Sequence, residues 1–122
     1  MGHRILVVED QQFIRRFLVN WLREHDYLVD DTADAEDALE RLGRNSYDVV
    51  LCDVHLPGAS GLELLRCLTD DEHHVRFVLM TGDPGEDIER EGRANGAAAC
   101  LRKPFSFEEL QEALSRALSG PN

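Results

Sequence analysis

Long apolar runs and basic residues are both scarce in this sequence of 122 residues. No apolar run approaches the roughly 18 residues that a membrane span requires, which predicts no membrane insertion. A secretory signal is also missing, because only a short apolar run (5–8) follows Arg4, so we expect a cytoplasmic location. Lys and Arg total 13 against 24 Asp and Glu, and the formal net charge is −11. Nucleic-acid-binding domains have the opposite balance, so no direct binding of DNA or RNA is expected.

Cysteine is also scarce, and its count is odd. The wide spacing argues against a disulfide framework or a zinc site and indicates reduced thiols at three positions: Cys52, Cys67 and Cys100. We predict that all three are small buried hydrophobic side chains. Four histidines lack the spacing of metal ligands and are assigned no metal: His3, His25, His73 and His74.

The sequence alternates short apolar runs with longer amphipathic stretches. The short runs predict strands at 5–8, 27–30, 49–52, 77–80 and 97–101. Helical spacing of apolar residues predicts helices at 12–24, at 34–42, after Ser60 and after Ser106, whereas 86–95 is predicted as a poor helix with Gly92 inside and little apolar surface. Ser60 with Glu63, and Ser106 with Glu109, have the spacing of a capping box.

Five successive strand–helix units predict an α/β fold with a parallel sheet and helices on both faces. Right-handed crossovers favour a doubly wound sheet, and 2-1-3-4-5 is the common flavodoxin-like order for five strands. No linker, repeat or low-complexity segment interrupts the pattern, so residues 1–122 are interpreted as one domain with no effector domain.

Polar side chains follow four of the predicted strands. Glu9 and Asp10 follow the first, Asp53 the third, Thr81 the fourth and Lys103 the fifth. Ligands of doubly wound sheets bind beyond the carboxyl ends of the strands, so we expect these side chains to converge on one rim.

Three neighbouring carboxylates repel one another and need compensation. Mg²⁺ suits such hard oxygen ligands, and Lys103 adds a further positive charge. A carboxylate nucleophile, a metal and a lysine fit phosphoryl transfer, in which positioning and charge neutralisation provide most of the catalysis. In the alternative interpretation, the strand ends are polar without a function, and Lys103 only neutralises a structural cluster of acids. The presence of all these residues together, each at the end of a strand, favours a phosphoryl-transfer site.

With these residues in place, the sequence resembles the receiver domains of response regulators in two-component signalling. The resemblance covers essentially the whole chain and is carried by four segments: Ile5-Leu6-Val7-Val8-Glu9-Asp10, Asp53-Val54-His55-Leu56-Pro57-Gly58 with Gly61 following, Met80-Thr81-Gly82, and Lys103-Pro104-Phe105.

The resemblance implies a role for each acidic residue of the rim. Asp53 corresponds to the phosphoacceptor, Asp10 to a direct Mg²⁺ ligand, and Glu9 to the acid that acts through metal-bound water. His55 falls where the family uses a backbone carbonyl as a metal ligand, so its side chain need not bind metal.

The resemblance also implies the partners and the switch. Thr81 and Lys103 correspond to the hydroxyl and ammonium that contact the phosphoryl oxygens, and the Lys103–Pro104 bond is expected to be cis. A sensor histidine kinase or a histidine phosphotransfer protein would supply the phosphoryl group. Phosphorylation would then draw Thr81 inward and change the surface that binds a downstream protein.

One position departs from the family pattern. Receiver domains usually carry Tyr or Phe three residues before the lysine, where this chain has Cys100. We therefore hypothesise that the output depends more on the Gly-containing, acidic segment 82–95, which includes Pro84, Gly85 and Gly92. In the alternative, Cys100 only fills the core, switching follows the usual backbone shifts, and the segment is a solvated helix without a special role.

The first predicted helix carries more apolar surface than one buried stripe needs. Aromatic residues such as Phe13 and Trp21 are common interface anchors, so part of this helix is a candidate surface for docking a phosphotransfer helix bundle or a second copy of the chain. In the alternative, Trp21 lies half buried against its own sheet.

Two other functions of similar folds fit the sequence less well. A flavodoxin-like electron carrier would need a phosphate loop where Glu9 and Asp10 lie, and carboxylates repel a flavin phosphate. A phosphohydrolase of the haloacid dehalogenase type would need an acid at His55. Within the resemblance, three possibilities stay open: a single-domain regulator, a piece of a longer regulator or hybrid kinase, and a module that signals by binding without phosphorylation.

Overall fold

The computed structural model describes residues 2–69, 75–82 and 86–119. Within them, five strands and five helices alternate along the chain. They are β1 (Arg4–Val8), α1 (Gln12–Glu24), β2 (Leu28–Thr32), α2 (Ala35–Arg44), β3 (Val49–Asp53), α3 (Gly61–Thr69), β4 (Arg76–Thr81), α4 (Glu86–Ala94), β5 (Ala99–Arg102) and α5 (Phe107–Ser119). All strands pair in parallel in the order β2-β1-β3-β4-β5, which confirms the predicted fold.

Two apolar layers enclose the sheet, because successive side chains of a strand point to opposite faces. In β1, Ile5 and Val7 join a core layer with α1 and α5, whereas Leu6 and Val8 join a layer with α2 and α3. The central strands are therefore buried on both faces, which explains their uninterrupted apolar runs.

Side-chain caps fix where three helices begin. Asp34 accepts the amide of Asp37 at 2.8 Å in front of α2, and Ser60 Oγ accepts the amide of Glu63 at 3.1 Å in front of α3. In front of α5 the Ser106 hydroxyl accepts the amide of Glu109, and the Glu109 carboxylate accepts the amide of Ser106. The capping prediction is confirmed in full at Ser106 and for the serine bond at Ser60.

The second strand lies further along the chain than predicted. Tyr27 donates its amide to the Leu22 carbonyl and so belongs to the turn after α1. The strand instead continues through Asp31 and Thr32, which pair with β1. Because β2 is an edge strand, it accommodates polar residues, and a prediction based on runs of apolar residues therefore ends the strand too early.

The fifth strand is also shifted from its prediction. Ala97 donates its amide to the Gly92 carbonyl and closes the C-terminal turn of α4, where Gly96 has φ of 100°. A positive φ of this kind is accessible to glycine and ends a helix. The strand therefore begins only at Ala99 and extends to Arg102.

The cysteine prediction is wrong at one position. Cys52 is buried and Cys100 is half buried, but Cys67 is exposed. In α3 the leucines take the buried stripe, and Cys67 lies off it.

Several sequence features lie outside the described residues: His73, His74, Pro84, Gly85 and the C-terminal 120–122. In the described part of the chain, no helix has the length and apolarity to cross a membrane.

Candidate functional site

The predicted rim forms at the carboxyl end of the sheet. Asp53 is the last residue of β3 and Thr81 the last of β4, while Glu9 and Lys103 directly follow β1 and β5. Glu9 and Thr81 are fully buried and Asp53 is nearly so. The adjacent Asp10 is exposed to solvent. The sheet order therefore places residues from four chain segments on one edge.

Lys103 joins two of the carboxylates. Its Nζ lies 2.7 Å from Glu9 Oε1 and 2.8 Å from Asp53 Oδ2. One ammonium thus neutralises part of the charge of two buried acids, which would otherwise repel each other.

This arrangement shifts the pKa of both Glu9 and Lys103. Burial raises the pKa of the Glu9 carboxyl, and the charge of Asp53 adds to the rise, although the bond from Lys103 opposes it. Burial by itself lowers the pKa of Lys103, but hydrogen bonds to Asp53 and Glu9, together with their charges, outweigh burial and raise it. The lysine is therefore a fixed positive charge at neutral pH.

Backbone groups orient the same two carboxylates. The amide of His55 donates to Asp53 Oδ1 at 3.0 Å, and the amide of Gln11 donates to Glu9 Oε2 at 3.2 Å. Asp53 Oδ1 is thus held by the chain that follows β3, and Oδ2 by Lys103. The predicted role of the His55 carbonyl as a metal ligand stays a prediction.

Gly61 allows α3 to begin directly against the end of β3. A Cβ placed on Gly61 would lie 2.5 Å from the Asp53 carbonyl oxygen and 3.0 Å from the Cα of Val54. The Gly61 amide also donates to the Val54 carbonyl at 2.7 Å. Since both obstacles are backbone atoms, only glycine fits here.

The acidic residues form a set that fits a divalent cation. Glu9, Asp10 and Asp53 can each offer one carboxylate oxygen, and these oxygens lie within 4.8 Å of one another. It is the only such cluster of His, Cys, Asp and Glu found among the described residues. Hard oxygen donors in partial contact with solvent are what Mg²⁺ prefers.

Arg15 also belongs to the surroundings of the site, although it is not among the residues predicted from the sequence. Its Nη1 donates to the Glu9 carbonyl oxygen at 2.8 Å, and its Nε to Asp31 Oδ2 at 3.0 Å. A signal was present, because Arg15 is three and seven residues before the buried Leu18 and Leu22 of α1. A charged residue on a buried helical stripe requires a partner.

The residues predicted to act in the switch, Thr81 and Cys100, lie at the end of β4 and within β5. The Lys103 amide donates to the Thr81 carbonyl at 2.7 Å, and the Lys103–Pro104 peptide bond is cis, as expected. Cys100 packs against the core layer that also contains Ile88 of α4, and burial raises the pKa of its thiol.

An aromatic surface lies beside the rim, on α1 and the start of α5. The Phe17 and Trp21 rings stack on Phe107 with centroids 5.4 and 5.0 Å away, and Phe13 is 81% exposed. Trp21 is half buried, as the alternative interpretation expected, but it packs on an α5 ring as well as on the core. A groove of about 910 Å³ lies along this surface, and its lining includes Lys103.

Comparison with known proteins gives one family. The family model of the response regulator receiver domain matches residues 5–115. The two-component response regulator PhoP of Pseudomonas aeruginosa is 37% identical over 115 residues, which cover 94% of this chain and 51% of that protein. Sporulation initiation phosphotransferase F of Bacillus subtilis is 30% identical over 118 residues, which cover 97% of this chain and 95% of that protein.

The similarity extends to solved structures. The chemotaxis response regulator CheY4 of Vibrio cholerae superposes with a TM-score of 0.89 at 28% identity, covering 97% of this chain and 100% of that chain. Among the curated relatives, the chain spans about half the length of PhoP and of several others.

Proposed function

The chain belongs to the response regulator receiver domain family of two-component signalling, and on that premise we propose that Asp53 accepts a phosphoryl group in a Mg²⁺-dependent reaction. The donor is a phosphohistidine of a sensor histidine kinase or a histidine phosphotransfer protein. The observation that carries the proposal is Lys103, whose ammonium joins Asp53 to Glu9 beside a third carboxylate, that of Asp10.

The transfer is an in-line displacement at phosphorus. A carboxylate oxygen of Asp53 forms the new O–P bond while the P–N bond breaks and its electron pair returns to the imidazole of the donor. The Lys103 ammonium and the Thr81 hydroxyl contact the phosphoryl oxygens. The product is an acyl phosphate, which water later hydrolyses to restore the carboxylate and release phosphate.

Glu9, Asp10 and Asp53, with the backbone carbonyl of His55, would hold Mg²⁺. When bound, the cation neutralises charge on the phosphoryl oxygens and on the carboxylates. Glu9 would act through water, as the family resemblance implies, and its two oxygens accept bonds from Lys103 and the Gln11 amide. Asp10 is exposed and would be the direct ligand.

Intact mass measured after incubation with acetyl phosphate tests the proposal. Wild type in Mg²⁺ should gain the mass of one phosphoryl group, whereas wild type in EDTA and Asp53→Asn in Mg²⁺ should gain none. Equal labelling of Asp53→Asn would place the acceptor elsewhere. No adduct in any sample, together with no response to beryllofluoride, would favour a module that signals by binding without phosphorylation.

We propose that the donor docks on the aromatic surface of α1 and α5. The groove there contains the exposed Phe13 and reaches Lys103, so a helix bundle seated on it would present its histidine to the rim. Phe13→Ala should slow transfer from a cognate phosphohistidine donor without slowing uptake from acetyl phosphate. Equal slowing with both donors would argue against docking, and transfer at the wild-type rate with both would exclude Phe13 from the contact.

The output is proposed to rely on α4, since Cys100 lacks the volume of the usual aromatic ring. Two ion pairs join α4 to its neighbours, Arg66–Glu91 at 3.2 Å and Arg102–Glu89 at 3.3 Å. Phosphorylation should therefore change amide hydrogen exchange in 86–94. Unchanged exchange there, with changes on other surfaces, would support the alternative in which Cys100 is core filler.

The remaining partner assignments follow from charge and family. A net charge of −11 argues against direct contact with nucleic acid by this chain, although its curated relatives include transcriptional regulators. We propose a downstream protein as its target and the cytoplasm as its location, and a homodimer is left open.

A further inference from the structure

Arg15 is the feature of the rim that the proposed function does not use. Its side chain is only 17% exposed, and the guanidinium makes two hydrogen bonds. Nη1 holds the Glu9 carbonyl oxygen at 2.8 Å, and Nε holds Asp31 Oδ2 at 3.0 Å. The arginine thereby ties the first turns of α1 to the end of β1 and to the edge strand β2.

The bond to the Glu9 carbonyl completes the fixation of that residue. The Glu9 amide donates to the Thr32 carbonyl at 3.0 Å, and the two carboxylate oxygens accept from Lys103 and Gln11. The Glu9 carbonyl belongs to the same planar peptide unit as the Asp10 amide. Holding this carbonyl therefore fixes the direction in which Asp10 leaves the sheet.

We propose that Arg15 is a positioning residue for the divalent cation site, which acts through the Glu9–Asp10 peptide without contacting the cation. The inference rests on the proposed function, because it assumes that Asp10 and Asp53 bind Mg²⁺. Outer groups that orient metal ligands typically change metal affinity by about 10–100-fold when they are lost.

Geometry and charge predict different results for substitutions at Arg15. Arg15 reaches the carbonyl with Nη1 and the carboxylate with Nε, whereas lysine has a single nitrogen and cannot occupy both positions. If Arg15 acted only as a positive charge near an acidic site, Arg15→Lys would leave Mg²⁺ binding unchanged and Arg15→Met would strengthen it. As a positioning residue, it predicts weaker Mg²⁺ binding in both variants.

Titration with MgCl₂, followed by the amide NMR shifts of residues at the rim, tests the proposal. Arg15→Lys and Arg15→Met should each raise the Mg²⁺ dissociation constant by roughly ten-fold. Arg16→Met is the matched control, because Arg16 is an exposed neighbour with the same charge, and it should bind Mg²⁺ as wild type does. Urea unfolding measures the stability of each variant. The Mg²⁺ titrations are then compared under conditions in which every variant is folded to the same extent, so that a change in metal affinity is not confused with a loss of stability.

Phosphoryl uptake from acetyl phosphate gives the second readout. In Arg15→Lys the Mg²⁺ concentration for half-maximal rate should rise, while the rate at saturating Mg²⁺ should approach that of wild type. Unchanged Mg²⁺ affinity in Arg15→Lys would overturn the positioning role while leaving the proposed function intact. Failure of wild type itself to bind Mg²⁺ would overturn both proposals.

Discussion

Gly61 shows how a single residue determines the distance between α3 and the end of β3. The space where its side chain would project is filled by the Asp53 carbonyl oxygen, at 2.5 Å from an ideal Cβ. Rotation of a side chain cannot relieve that overlap, because the obstacle is backbone. Any larger residue must displace either the start of α3 or the peptide of Asp53.

Gly61→Ala should therefore lower the free energy of unfolding, by about 1–3 kcal/mol as for other overpacked sites. Gly43→Ala is the matched control, because Gly43 is exposed in α2 and an added Cβ there meets nothing within 4 Å. That control should raise stability by roughly 0.5–1 kcal/mol through helix propensity. Urea unfolding measures both, and equal effects of the two substitutions would contradict the close approach at Gly61.

Single residues also show the limit of prediction from sequence. Asp53 and Lys103 were identified because each is a charged residue at the end of a predicted strand, which is where a doubly wound sheet binds its ligands. Arg15 was missed because its bond to the rim is made to the Glu9 backbone carbonyl, which no residue type reveals. The exposure of Cys67 was missed because its hydrophobicity suited burial, and only the stripe of α3 leucines shows that it lies outside the core.

At the scale of elements, α2 is joined to β2 by a carboxylate. Asp37 in the first turn of α2 accepts the Thr32 hydroxyl at 2.5 Å and Arg41 Nε at 3.0 Å. The bond from Thr32, followed by that from Arg41, lowers the pKa of Asp37 below its ordinary value. Because the folded pKa lies below the unfolded one, the stabilisation is complete above the unfolded pKa and is lost as the pH falls through the folded pKa.

Asp37→Asn should therefore destabilise the protein at pH 7, and the difference from wild type should shrink as the pH falls below about 4. Asp37 is 44% exposed, so solvent screening limits the effect to about 1 kcal/mol. Glu36→Gln removes the same charge from the same exposed helical turn and serves as the control. If Asp37→Asn lowered the free energy of unfolding by the same amount at pH 7 and at pH 3.5, the stabilisation would not depend on the ionised carboxylate of Asp37.

Elements differed in how well the sequence predicted them. The central strands β1, β3 and β4 were located by uninterrupted apolar runs, since both of their faces are buried. The edge strands β2 and β5 were shifted along the chain because one side of each has no neighbouring strand. Their ends are determined by turn hydrogen bonds, such as that from Ala97 to Gly92, which a hydrophobic pattern does not report.

For the whole molecule, the excess of acidic residues couples folding to cations. A cation that binds only the folded protein stabilises it by RT ln(1 + [Mg²⁺]/Kd), which is about 1.4 kcal/mol at ten times Kd. For a domain of this size that corresponds to a rise in Tm of roughly 5 °C. The rise in Tm with MgCl₂ must be compared with that in NaCl of equal ionic strength, because any salt screens the repulsion within a protein of net charge −11.

Wild type should show this additional Mg²⁺-dependent rise in Tm, and Asp10→Asn should lose most of it. Glu24→Gln changes the net charge by the same amount at an exposed position outside the rim, and it should keep the wild-type response. Calorimetry or thermal unfolding followed by circular dichroism measures the three proteins. A response of Asp10→Asn equal to that of Glu24→Gln would mean that Mg²⁺ acts through general screening alone.

The bond between Lys103 and Glu9 spans 94 positions of the sequence, and this has a consequence for synthesis on the ribosome. The acidic end of β1 leaves the exit tunnel long before the lysine that neutralises it has been translated. Until β5 has joined the sheet, the nascent chain carries carboxylates whose mutual repulsion opposes their burial. The rim is therefore complete only after β5 has been translated and has joined the sheet, and a nascent chain without β5 lacks the ammonium that joins Glu9 to Asp53.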